Sequence, residues 1–124
     1  MKETILVDTG VIVEYLKTGK GVLPTAYEQY EMVISAVTYT ELLASKTFED
    51  SALKDEVLEF CEKYFTIIEI NEEIALKAAD VIRTSEMTLA NAYIAATALV
   101  KGIKILSDEE KKLDKVEGVE FLSI

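Results

Sequence analysis

The chain has no histidine and no tryptophan, and only one cysteine and one proline. Without histidine, a Ser-His-Asp or Cys-His nucleophile and a His-ligated zinc are excluded. Any catalysis must come from carboxylates, hydroxyls, lysines or a metal held by oxygen. The lone Cys61 excludes a disulfide within the chain and suits a reducing compartment. Basic residues are scarce: 13 Lys and Arg stand against 23 Asp and Glu, a net charge of −10. That balance argues against a broad basic face holding polyanions non-specifically, but not against a nuclease that grips its substrate through metal ions. No apolar run approaches the roughly 18 residues of a membrane span, and net acidity disfavours an anionic membrane surface. Charges at Lys2 and Glu3 fall too early for a secretory leader. A soluble, cytoplasmic protein is expected.

Half of the 124 residues are hydrophobic, enough for one packed domain over 1–124. There is no low-complexity segment and no repeat. Ile5-Leu6-Val7 reads as a buried strand ending at Asp8. Val11 to Leu16 reads as a short helix stopped near Gly19 and Gly21, and Pro24 opens another through about Tyr30. Met32 to Ser35 is a second apolar run, and a helix starts at Thr38. Residues 51 to 63 carry helical apolar spacing, and Phe65 to Ile70 has the β-branched content of a third strand. Helices are expected from Glu72 to Ser85 and from Leu89 to Val100, the latter capped by Gly102. Ile103 to Leu106 makes a fourth strand and Val119 to Leu122 a fifth. Strands alternating with helices give the α/β class, with a parallel sheet covered on both faces.

Ligands of such sheets bind beyond the carboxyl ends of the strands. Asp8 and Thr9 follow the first strand, Ser35 follows the second, and Glu41 lies in the first turn of the next helix. Ser107, Asp108, Glu109 and Glu110 follow the fourth strand, and Thr88-Leu89-Ala90-Asn91 opens the helix before it. Three or four acids on one edge repel one another unless a divalent cation neutralises them, and oxygen-only ligands point to Mg²⁺ or Mn²⁺. Each residue also has a plainer role. Asp8 reads equally as a helix N-cap, Thr38-x-x-Glu41 as a capping box and Thr88-x-x-Asn91 as a helix start. The 108–112 run reads as a solvated helix start, and Cys61 as a small buried hydrophobe. The six tyrosines read first as partly buried packing and second as base-stacking groups. Joint placement, rather than any single residue, carries the metal reading.

Taken together, four stretches resemble the PIN-domain family, and most closely its VapC-type toxins of prokaryotic toxin–antitoxin pairs. They are Ile5 to Ile12, Ile34 to Leu42, Leu89 to Ala98 and Ile105 to Asp108, in the family's order and spacing across essentially the whole chain. The resemblance implies a three-layer α/β/α fold with a central parallel sheet of four to five strands. It also implies a metal-dependent endoribonuclease that hydrolyses RNA phosphodiesters with water activated by acid-bound Mg²⁺ or Mn²⁺. Carried over, Asp8, Glu41, Asn91 and Asp108 are the metal and catalytic positions. The family's fourth acid often falls one residue later, at Glu109, and the stretch down to Gly118 is about one residue longer than usual. At Asn91 the family normally has Asp; an amide keeps an oxygen ligand but removes a charge and cannot act as a base. An introduced inactivating change, a natural weakened or regulatory variant, and compensation by Glu109 are the three accounts of that departure.

The leading expectation is a Mg²⁺-dependent ribonuclease acting as a toxin. A cognate antitoxin would be its partner, supplying arginines to the acidic groove. The alternative is a catalytically weakened RNA- or antitoxin-binding module; a phosphatase-like or flap-nuclease-like hydrolase ranks third. A homodimer is expected, because Val22, Leu23, Tyr27 and Tyr30 offer apolar surface early in the chain and because VapC-type toxins commonly pair.

Overall fold

The computed structural model of the chain describes all of residues 1–124. In chain order the elements are β1 (Glu3–Val7), α1 (Thr9–Thr18), α2 (Leu23–Gln29), β2 (Tyr30–Ser35) and α3 (Ala36–Ala44). A one-turn 3₁₀ segment (Lys46–Phe48), α4 (Ser51–Tyr64), β3 (Thr66–Ile68), α5 (Glu72–Ser85), α6 (Leu89–Lys101) and β4 (Lys104–Leu106) follow, then a second 3₁₀ turn at Glu110–Lys112. The sheet is wholly parallel in the order β3-β2-β1-β4.

Alternation along the strands builds three layers. Ile5 and Val7 of β1, with Met32 and Ile34 of β2, face a core closed by Ile12, Leu23, Leu42, Val57 and Cys61. Leu6, Val33 and Ile105 point the other way, against Ile74 and Ala78 of α5 and Ala92, Ala95 and Ala96 of α6. Both faces of the central strands are thus buried, which explains their uninterrupted apolar sequence.

Local chemistry sets the ends of the elements. Gly19 and Gly102 take the left-handed conformation that closes α1 and α6, and Pro24 occupies the first turn of α2. The third and fifth strands differ from expectation. The third strand stops at Ile68 rather than Ile70, because its partner Ser35 leaves the sheet there to cap α3. The fifth strand contracts to one bridge, Ile105 to Phe121, since β4 is only three residues long. Ile105 N–H donates to Glu120 O and Leu122 N–H to Ile105 O, both at 2.9 Å.

Candidate active site

Asp8 leaves the carboxyl end of β1 and caps α1, its Oδ1 accepting from Thr9 N–H at 2.8 Å. Its second oxygen accepts from the Ser107 hydroxyl at 2.9 Å, just beyond β4. The same hydroxyl accepts from Glu109 N–H at 2.9 Å, so its proton is directed at Asp8. Asp8 N–H also donates to Leu106 O at 2.9 Å, which fastens the two strand ends side by side.

Glu41 reaches the same place from α3. Its Oε1 accepts from the Thr9 hydroxyl at 2.7 Å, and Thr9 Oγ1 lies 3.1 Å from Thr38 Oγ1. The capping-box reading of Thr38-x-x-Glu41 is therefore replaced. Ser35 caps α3, accepting from Val37 N–H at 3.1 Å, which starts the helix at Ala36 rather than Thr38. Thr38, one turn inside the helix, is fully buried, and with Thr9 it holds Glu41 beside Asp8.

Asp108 stands over the first turn of α1. A Cβ on Gly10 would lie 2.7 Å from Asp108 Oδ2 and 2.9 Å from its Cγ, so only glycine leaves the acid its place. Burial pushes the Asp8 carboxyl above the ordinary aspartate range. The Ser107 and Thr9 hydrogen bonds pull it back, and the charges of Asp108 and Glu41 push it up again. The structure thus brings Asp8, Glu41 and Asp108 together.

Asn91 is half-buried in the first turn of α6, where its N–H donates to Thr88 Oγ1 at 3.2 Å, so the helix-start role holds. Because α6 feeds directly into the amino end of β4 through Gly102, its opening turn lies toward the carboxyl edge. No contact ties Asn91 to the three acids. Glu109 turns instead to Lys112, with 3.0 Å between Oε2 and Nζ. The expected solvated helix start at 108–112 is present as the 3₁₀ turn at Glu110–Lys112.

As the side chains stand, no three acidic groups are close enough to grip a single ion. The donor chemistry nevertheless fits a hard divalent cation: three carboxylates and an amide oxygen, with no nitrogen or sulfur ligand. The Gly10 cradle and the opposed ionisation of Asp8 agree with that fit. Sequence reasoning named the acids but gave no role to Ser107, Thr9 or Gly10. The available signal was a hydroxyl beside an acid in both Asp8-Thr9 and Ser107-Asp108.

A family model described as PIN domain matches residues 5–119. Among solved structures, the chain is similar to VapBC2 from Rickettsia felis, bound there to a DNA fragment from its promoter. The TM-score is 0.83 at 12% identity, covering 96% of this chain and 97% of that one. VapBC-1 from nontypeable Haemophilus influenzae gives a TM-score of 0.81 at 17% identity, covering 97% of each chain. FitAcB from Neisseria gonorrhoeae gives 0.75 at 24% identity, covering 95% of this chain and 96% of that one. At these identities the likeness is one of fold. Among curated protein sequences, none matches the chain significantly.

Proposed function

The chain belongs to the PIN-domain family, and on that premise we propose that it is a divalent-cation-dependent endoribonuclease, the toxin of a toxin–antitoxin pair. The observation that carries this reading is the placement of three acids about the first turn of α1: Asp8 caps it, Glu41 accepts from the Thr9 hydroxyl, and Asp108 stands over Gly10. Asp8, Glu41 and Asp108 would hold Mg²⁺ or Mn²⁺, with Asn91 contributing an amide oxygen. When bound, such a cation stabilises charge on phosphoryl oxygens and makes water a better nucleophile. The chain's own residues orient the ligands. Ser107 and Thr9 fix the two oxygens of Asp8, Thr9 and Thr38 hold Glu41, and Gly10 admits Asp108.

An antitoxin partner, a homodimer and a cytoplasmic site of action complete the proposal. The toxin–antitoxin complex from Klebsiella pneumoniae, to a chain of which this one is similar with a TM-score of 0.75, supports the first of these. Asn91 favours a second reading, a weakened RNA- or antitoxin-binding module, because one ligand charge is absent. The test is incubation of the chain with a panel of structured RNAs in Mg²⁺, Mn²⁺ or chelator, with Asp8→Ala as control. Cleavage that needs the metal and Asp8 supports the nuclease. RNA binding with no cleavage in any metal supports the binding module.

A further inference from the structure

Ser35, Thr38 and Thr97 are the three fully buried polar residues of the chain. Two of them do local work. Ser35 caps α3, and the Thr97 hydroxyl donates back to Tyr93 O at 2.7 Å. Thr18, Thr40 and Thr84 behave like Thr97, donating to the carbonyl four residues earlier at 2.8, 3.0 and 2.9 Å. Thr38 makes no such bond. Its hydroxyl has a single partner, Thr9 Oγ1 at 3.1 Å, between the first turns of α3 and α1.

Proton counting gives this contact a direction. Thr9 carries one hydroxyl proton, and its closer partner is Glu41 Oε1 at 2.7 Å. An ionised carboxylate only accepts, so that proton goes to Glu41. The bond between the two hydroxyls therefore has Thr38 as its donor. The result is a one-way relay from Thr38 to Thr9 to Glu41, in which each bond polarises the next. Glu41 is exposed, joins neither ion pair and accepts no other hydrogen bond, so the relay alone holds its carboxylate.

We propose that Thr38 is a positioning residue for Glu41, acting through Thr9 and touching neither cation nor substrate. It ties Oε1 to Thr9 and leaves Oε2 unbonded, free to serve as the ligand oxygen. This deepens the metal-site reading of Glu41 and rests on it. A hydroxyl at a fully buried position gains the fold little, because its desolvation offsets its one hydrogen bond. Thr38→Val keeps the shape and removes the relay's source. Stability and metal affinity should then part company, which a merely structural role would not produce.

The test is Mn²⁺ binding, followed through the paramagnetic resonance signal of the free ion, with thermal melts in chelator. Wild type, Thr38→Val, Thr38→Ser, Thr9→Val, the Thr9→Val/Thr38→Val double variant and Asp8→Ala are compared. Thr38→Val should bind Mn²⁺ about fivefold more weakly, with a Tm at or above that of wild type, and Thr38→Ser should bind like wild type. Thr9→Val should lose about tenfold, and adding Thr38→Val to it should cost nothing more, since Thr38 acts only through Thr9. Wild-type affinity in Thr38→Val, or a loss that adds in full to that of Thr9→Val, overturns the relay and leaves the metal site standing if Asp8→Ala has lost the ion. A Thr38→Val chain that does not fold makes the hydroxyl structural and also overturns the relay. Equal Mn²⁺ binding by wild type and Asp8→Ala removes the metal site and the relay with it.

Discussion

Asp8 accepts from Ser107 Oγ and Thr9 N while burial and two acidic neighbours oppose its ionisation. In metal-free protein this has a definite sign. The raised folded-state value means that Asp8's favourable contribution is present below the ordinary aspartate range. It is lost as pH rises through the raised value. Thermal melts in chelator should therefore show Asp8→Asn at least as stable as wild type at neutral pH, the difference vanishing in acid. Adding Mn²⁺ should then raise the Tm of wild type more than that of Asp8→Asn; equal shifts would argue against Asp8 as a ligand. Gly10 allows a cleaner separation of fold from site. The nearest atoms an alanine Cβ would meet there belong to the carboxylate end of Asp108, an exposed group that can swing away, and alanine suits a helix better than glycine. Gly10→Ala should keep its Tm within a degree or so, while displacing Asp108 should cost about a hundredfold in RNA cleavage. A variant that cleaves at the wild-type rate would show that Asp108 works from elsewhere.

Helix α6 lies close over the sheet because its inner face is alanine. Ala92, Ala95, Ala96 and Ala98 are all essentially buried, packed with Leu6, Val33 and Ile105. Ala95→Leu should overpack this seam and cost about 1–3 kcal/mol in denaturant unfolding, and a loss below about 0.5 kcal/mol would mean that the layer has slack to spare. On the opposite layer, burial pushes the Cys61 thiol up to about 11, with Glu62 adding to it. At pH 8 the thiol should resist alkylation in the folded protein and react only on unfolding; rapid native labelling would contradict its packing in α4. Most of this architecture is legible in the sequence. Leu89 to Gly102 shows an apolar stripe and a glycine stop, and Ile5-Leu6-Val7 shows a doubly buried strand. What the sequence hides depends on partners. The length of β3 is set by Ser35 leaving β2, and Thr38 looks like a cap until Ser35 takes that role. The acids of the site are likewise readable from strand ends, whereas Gly10 and Ser107 gain their meaning only from Asp108 and Asp8 across the sheet.

Over the whole molecule, negative charge dominates, and no helix is long and apolar enough to cross a membrane. The homodimer needs apolar surface, and the structure revises where that surface lies. Leu23 is buried in the core, whereas Tyr27 is half-exposed and packs edge-on against Tyr64. Light scattering over a range of concentrations should report a dimer, and a monomer throughout would remove that part of the proposal. The decisive feature is the amide at position 91, where the resemblance to the family implies an acid. A tightly held Mg²⁺ depends on the number of anionic oxygens around it, so restoring a carboxylate should strengthen the site without altering the fold. The most direct measurement is RNA cleavage in Mg²⁺ and Mn²⁺ by the chain as it stands, by Asn91→Asp, and by Asp8→Ala. A metal-dependent nuclease weakened at Asn91 should give slow cleavage by the chain itself and cleavage on the order of a hundredfold faster by Asn91→Asp, with none by Asp8→Ala. Equal rates for the chain and Asn91→Asp, or undiminished cleavage by Asp8→Ala, would contradict it.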